Sequence, residues 1–335
     1  MKNFKRYISL ILCLVFALSL VSCSATNALK SSKEDLTIVK TIGEIEIPLE
    51  VYRYIALNYK SIYESEYSAD IWNSENGDAL LTELNAEIDA SLIQMYTTLA
   101  ICEKYGIDAD DQYFTDMVDI KMDEIYESYG YDYKAYAKDI ELYYMNDSVY
   151  RFIIKCELLA DEIIEKMMEC GDVPGDVETI KGILLGDECV RVGQILIASG
   201  NGKTREENLA LAEKILEKLN GGADFDSLVR EYGEDLFMFN NTDGYYLTRG
   251  NLHEAFEDAA FSLEIGEVSD IVETDAGLSI IKRYEKDSSY IKKYADTLAS
   301  EYIEGLYNIA LEEYSKTLTI KDTDKASKYS VLNLK

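Results

Sequence analysis

Apolar residues recur along this chain at two different spacings. From Asp78 to Tyr105, Leu81, Leu84, Ile88, Leu92, Met95, Leu99 and Cys102 fall three and four residues apart, which predicts one long helix closed by Gly106. Pro48 opens an earlier helix with Leu49, Tyr52, Ile55, Ala56 and Tyr59 on one face, because the first helical amide has no intrahelical partner to lose. Asp111 to Tyr129 predicts a third helix. Helical periodicity runs on from Tyr131 to Cys170, ending in a helix over Val149–Met168 that is apolar at Phe152, Ile153, Cys156, Leu159, Ile163 and Met167. From Leu36 to Ile47 the apolar positions alternate instead, predicting a small strand or hairpin. The turn cluster Gly171–Asp176 then breaks the pattern, and a short helix over Val177–Leu185 follows.

Beyond that break the pattern is mixed. Val190–Ile197 reads as a strand, followed by the turn Gly200-Asn201-Gly202. Thr204 with Glu207 three residues later predicts a capping box, heading a helix with Ala210, Leu211, Ile215, Leu216 and Leu219 buried. Ala223-Asp224-Phe225 starts a second short helix through Tyr232, Asn251 is placed as the cap of a third containing Phe256 and Phe261, and two strands follow near Ser269–Glu273 and Leu278–Tyr284. A long helix over Ser289–Lys316 and a polar tail close the chain. One strand, several short helices and a returning strand pair predict a compact α+β domain set between helical segments.

The amino terminus changes the picture of where the chain works. Lys2, Lys5 and Arg6 precede an apolar run from Ile8 to Val21 that ends at Ser22-Cys23, the layout of an export signal. The run is shorter than the roughly 20 residues a spanning helix needs. Leu20-Val21-Ser22-Cys23 resembles a bacterial lipobox, so Cys23 is the expected lipidation site and a membrane surface the expected anchor, with the protein extracytoplasmic. Removing the three basic residues of the signal leaves 30 Lys and Arg against 63 Asp and Glu, a formal charge of −33. Such a surface repels nucleic acid and other polyanions.

Composition adds two further expectations. About 310 mature residues exceed what one hydrophobic core usually supports. Cys102, Cys156, Cys170 and Cys189 lack metal-ligand spacing and a Cys-x-x-Cys, so they are expected as buried thiols, with no metal site. Of the 27 tyrosines, those from Tyr52 to Tyr150 are mostly expected in the core, but Tyr126, Tyr129, Tyr131, Tyr133 and Tyr136 crowd a charged segment too densely for one buried face. Some of these should stay exposed, where an amphipathic ring can grip apolar peptide.

Four motifs stand in a shared order: Gly221-Gly222-Ala223-Asp224-Phe225, Gly244-Tyr245-Tyr246-Leu247-Thr248-Arg249-Gly250, Phe256-Glu257-Asp258-Ala259-Ala260-Phe261 and Gly266-Glu267-Val268-Ser269. Together they resemble the parvulin-type (PpiC, rotamase) prolyl isomerases over about 95 residues. The flanking helices resemble, more loosely, the chaperone portion of PrsA-type and SurA-type extracytoplasmic foldases. The resemblance implies an α+β fold in which a helical, SurA-N-like chaperone domain carries an inserted parvulin-like domain of antiparallel sheet and short helices. The implied segments are a signal (1–22), a lipidated linker (23–35), a chaperone domain (36–189), an isomerase domain (190–286), a C-terminal helix packing on the chaperone domain (287–320) and a polar tail (321–335).

Parvulin chemistry lowers the roughly 18–20 kcal/mol barrier of an X-Pro amide by favouring its twisted state, without a covalent nucleophile. It needs an apolar shelf for the proline ring and polar groups around the amide. By resemblance Leu252 and Phe256 are the substrate-binding shelf. Asp235, Gln194, Ser279 and Thr274 occupy the catalytic positions, with Gln194 and Ser279 standing where the family carries histidines. Neither replacement offers an imidazole's titration. His253, the only histidine, is expected at the surface, and Lys203 and Arg205 lie where phosphate-selective parvulins place a basic loop. The implied function is a foldase that binds unfolded exported polypeptides and isomerises X-Pro bonds, with no cofactor. A non-catalytic holdase, using a degenerate parvulin domain as a peptide-binding module, is the alternative. Oligomeric state stays open.

Overall fold

The computed structural model describes residues 31–240 and 244–334. Cys23 and the rest of the expected signal lie outside the described residues. The chain divides into two compact units, residues 31–167 with 311–334 and residues 168–310. The fold is of mixed class, helices with antiparallel sheets.

In the first unit, β1 (Ile38–Ile42) and β2 (Ile45–Pro48) form the expected hairpin. Pro48 closes β2 and stands one residue before helix α1 (Leu49–Tyr67), as its cap rather than as its first helical residue. Helix α2 (Gly77–Ile101) ends in a 3-10 turn over Cys102–Tyr105, with Gly106 in the left-handed conformation that stops it. The Asp111 carboxylate accepts from the Tyr113 amide and so caps α3 (Gln112–Ser128). Helix α4 (Tyr133–Glu141) is capped in the same way by Asp132, and α5 (Asp147–Cys170) completes the set.

The crowded tyrosines are mostly core. Tyr126 and Tyr136 are buried, and Tyr126 meets Tyr133 and Tyr136 edge-on at 5.0 and 5.2 Å. Tyr131, at positive φ, is 46% exposed, as expected for part of this group. The segment expected as a polar tail departs from that reading. Strand β7 (Ile320–Asp322) pairs with β1, and Val331 is buried in the same core as Leu84, Ile88 and Leu92. A three-residue strand whose partner lies some 280 residues away leaves no local period to read.

In the second unit, strands β3 (Val190–Ala198), β4 (Tyr245–Leu247), β5 (Val272–Thr274) and β6 (Gly277–Tyr284) form an antiparallel sheet in the order β4-β3-β6-β5. Its helices are α6 (Val177–Leu185), α7 (Arg205–Asn220), α8 (Phe225–Tyr232), α9 (Leu236–Asn240), α10 (Glu254–Ser262), α11 (Ser288–Lys293) and α12 (Ala295–Ser315). The expected capping box of Thr204 and Glu207 heads α7, and Asp224 caps α8. Asn251 does not cap α10. His253 does, its Nδ1 accepting from the Ala255 amide at 3.2 Å.

Alternation along β3 separates two apolar layers. Ile195 and Ile197 join Ala212, Ile215, Phe225 and Leu228 on one face, while Val190 and Val192 join Leu247, Phe256, Ala260 and Ile281 on the other. A third cluster sets Tyr246 of β4 against Ile180 and Leu184 of α6, Ile291 of α11 and Leu298 and Ala299 of α12. These contacts place α6, α11 and most of α12 in the sheet's own unit. Of the four cysteines among the described residues, Cys102 and Cys189 are buried, Cys156 is half-buried and Cys170 is exposed, against the expectation of burial for all four. Among the described residues no helix is long and apolar enough to cross a membrane.

Candidate functional site

The sheet face that carries Val190 and Val192 also carries Gln194, and its register assembles the polar centre. In an antiparallel pair directly opposed residues share a face. Gln194 opposes Ile281, Leu196 opposes Ser279, Val192 opposes Tyr245, and Val272 opposes Ser279. Gln194, Ser279 and Tyr245 therefore project from the same side, above the layer that contains Phe256.

Asp235 reaches this face from the turn between α8 and α9. Its Oδ1 accepts from the Phe237 amide at 2.9 Å, which starts α9, and its Oδ2 accepts from Gln194 Nε2 at 2.7 Å and from the Tyr245 hydroxyl. The Ser279 hydroxyl donates to Gln194 Oε1 at 2.9 Å. The network thus runs from Ser279 through both ends of the Gln194 amide to one carboxylate. Fixing both ends sets the amide's orientation, so the side chain cannot flip without losing two bonds. Burial pushes the Tyr245 phenol well above its usual pKa, and the Asp235 charge adds to the shift. Tyr245 remains a hydrogen-bond donor at any physiological pH.

Three of the four expected catalytic-position residues, Gln194, Asp235 and Ser279, come together in this network. Thr274 lies at the end of β5, opposite Gly277, and among the described residues no hydrogen bond joins its side chain to the others. Tyr245 was not among the expected residues. Its signal was its place in the Gly244-Tyr245-Tyr246 motif, in a strand where alternation turns one ring inward and the other outward. Phe237 stacks on it at 4.6 Å and 26°.

The two shelf residues differ sharply. Phe256 is 5% exposed and packs among Val190, Val192, Leu247, Ala260, Leu263 and Ile281, whereas Leu252 is 46% exposed. Phe256 is part of the floor, and Leu252 is the open apolar contact. Helix α9 also presents exposed Phe237 and Phe239, the former stacked on Tyr245. The basic loop takes another role: Arg205 makes a two-pronged pair with Glu273, 2.6 Å at each prong. The guanidinium is thereby committed to a carboxylate.

A polar centre on one face of a four-stranded antiparallel sheet, flanked by short helices, is the arrangement that the resemblance to parvulins implies. Residues 180–287 match the family of PPIC-type PPIase domains. Over 287 residues the chain is 28% identical to a foldase protein PrsA of Caldanaerobacter subterraneus, covering 83% of this chain and 82% of the relative. It is 33% identical to a foldase protein PrsA of Bacillus subtilis over 178 residues, 52% of each chain. A crystal structure of peptidylprolyl isomerase (PrsA) from Bacillus anthracis aligns at 23% identity with a TM-score of 0.36, over 68% of this chain and 96% of that one. The domain match and the sequence relatives support a parvulin-type foldase of the PrsA kind.

Proposed function

We propose that this chain is an extracytoplasmic foldase, held at the membrane by lipid on Cys23, that binds unfolded exported polypeptides and isomerises their X-Pro bonds slowly. The observation that carries this reading is the Ser279–Gln194–Asp235–Tyr245 network, with Leu252 as an exposed apolar residue in the same unit. It supplies fixed dipoles for a twisted amide and an apolar contact for the proline ring, which is what the reaction requires. No imidazole stands in the network, so a dipolar site, slower than one with two histidines, is expected. The test is exchange NMR on an X-Pro peptide with the mature chain. Cis/trans exchange faster than the uncatalysed rate supports the isomerase.

The second reading, a non-catalytic holdase, is favoured by the same replacement of both histidines and by exposed Tyr113, Leu142, Tyr143 and Tyr144 in the helical unit. Uncatalysed exchange together with suppressed aggregation of an unfolded client selects it. Lipid attachment is tested separately, since Cys23→Ala should release the protein from the membrane fraction.

A further inference from the structure

Leu252 is 46% exposed and is not a member of the apolar clusters described above, so its position depends on the backbone of the short loop that carries it, Gly250 to Leu252. That loop is held from two sides. From α10, the buried Glu257 carboxylate accepts from the amides of Gly250 (3.0 Å), Asn251 (3.0 Å) and Leu252 (2.8 Å). From α12, Asn308 Nδ2 donates to the Gly250 carbonyl at 3.1 Å, and Asn251 Nδ2 donates to the Glu301 carbonyl at 2.8 Å.

The approach of α12 leaves no room for side chains. A methyl on Gly250, which has φ +93°, would lie 2.2 Å from the Gly305 carbonyl oxygen, and a methyl on Gly305 would lie 2.2 Å from the Arg249 carbonyl oxygen. Upstream, Tyr246 stacks on Tyr290 of α11 at 4.3 Å and 4°, and its hydroxyl accepts from the Asp287 amide at 3.0 Å. The helices beyond residue 287 are therefore bonded to the strand and loop that deliver Leu252.

We infer that α12 sets the position of the proline shelf, with Gly305 and Asn308 as positioning residues that fix the Gly250–Leu252 loop against Glu257. This rests on reading Leu252 as a proline contact. A packing role alone would have been met by apolar contacts. Here the amides of three successive residues, the Gly250 carbonyl and the Asn251 side chain are bound one by one, which fixes orientation as well as proximity. A segment cut at 286/287 would lose one side of this clamp.

The test uses the mature chain and a short proline peptide followed by NMR titration. Asn308→Ala should weaken peptide binding about fivefold, the loss expected for one hydrogen bond, and Gly305→Ala by at least about tenfold. Asn308→Gln, which keeps the amide, should recover part of the affinity. Hydrogen exchange of the Gly250–Leu252 amides should quicken in Asn308→Ala while the β3 and β6 amides hold their protection, a pattern that general destabilisation would not give. Wild-type affinity in both Asn308→Ala and Gly305→Ala overturns the inference; if Gly305→Ala does not fold, Asn308→Ala decides. If the wild type binds no proline peptide, the proline-contact reading fails instead, and unchanged exchange at Gly250–Leu252 in Asn308→Ala would still overturn the clamp.

Discussion

Asp147 and Asp235 both accept from tyrosine hydroxyls, and they do so for different ends. Asp147, in the helical unit, is 7% exposed and accepts from Tyr126 at 2.5 Å, Tyr136 at 3.2 Å and Arg151 Nε at 2.9 Å. Asp235, in the sheet unit, is half-buried and accepts from Tyr245 and Gln194, and among the described residues no Lys or Arg pairs with it. The first carboxylate is neutralised by a guanidinium and sealed in a core. The second is half-buried and has no cationic partner among the described residues. A balanced, closed network stabilises a fold, whereas an unbalanced, open one is available to a ligand, as the proposed function requires of Asp235.

The largest expected effect comes from breaking the closed network. Asp147→Ala leaves two buried phenols without their carboxylate acceptor, each worth about 1–3 kcal/mol, while Arg151 keeps Asp119 as partner, and should cost about 3–5 kcal/mol in urea unfolding of the helical unit. Asp235→Ala should cost less stability and instead abolish measurable peptide affinity. A loss under about 1 kcal/mol for Asp147→Ala would show that burial had been misjudged, and the contrast would collapse.

The shelf gives the next contrast. Phe256→Ala removes a floor residue and should destabilise the sheet unit by about 3 kcal/mol or more. Leu252→Ala exposes nothing new, so it should leave the melting temperature nearly unchanged while weakening proline-peptide binding by about tenfold. Equal effects of both substitutions on stability would mean that Leu252 is core as well.

Alkali should act next, and mainly on the helical unit. Burial, with Asp147 beside one and Asp139 beside the other, pushes the phenols of Tyr126 and Tyr129 up to about 12, and burial raises Tyr63, Tyr96 and Tyr136 further. Each folded value lies above the unfolded one, near 10, so the stabilisation is whole below about pH 10 and is lost as pH climbs through about 12. Circular dichroism should show the helical signal falling in that window. In Tyr126→Phe the pH dependence of unfolding should be shallower by up to one proton.

These expectations also mark what the sequence made legible. The capping box of Thr204 and Glu207 was readable because its spacing is local, whereas Gln194, Asp235 and Ser279 were placed only by resemblance to the parvulin family. Asn251 was misread as a cap because its side chain is spent on Glu301, fifty residues away, and a local pattern contains no trace of that partner. Phe256 and Leu252 looked alike because a resemblance records that a position is apolar, not which way it faces. The third strand of the helical unit escaped for a related reason: β7 is too short to show alternation, and its pairing with β1 spans almost the whole chain.

Tyr245 is the smallest change and the sharpest test of the comparison. Its hydroxyl bonds the carboxylate that also holds Gln194, so Tyr245→Phe leaves the ring stacked under Phe237 and removes one donor. If Asp235 serves the site, the remaining bonds should slacken, Gln194 should lose its fixed orientation, and X-Pro exchange or peptide affinity should fall about fivefold, the weight of one hydrogen bond, with little change in melting temperature. The corresponding Tyr126→Phe, in the closed network, should instead lower stability and leave peptide affinity untouched. The pair of variants, measured by thermal melting and peptide titration together, reads the two carboxylates independently. Should Tyr245→Phe behave like Tyr126→Phe, lost stability with unchanged affinity, Asp235 would be a second structural anchor and the site would have to be sought elsewhere on the sheet.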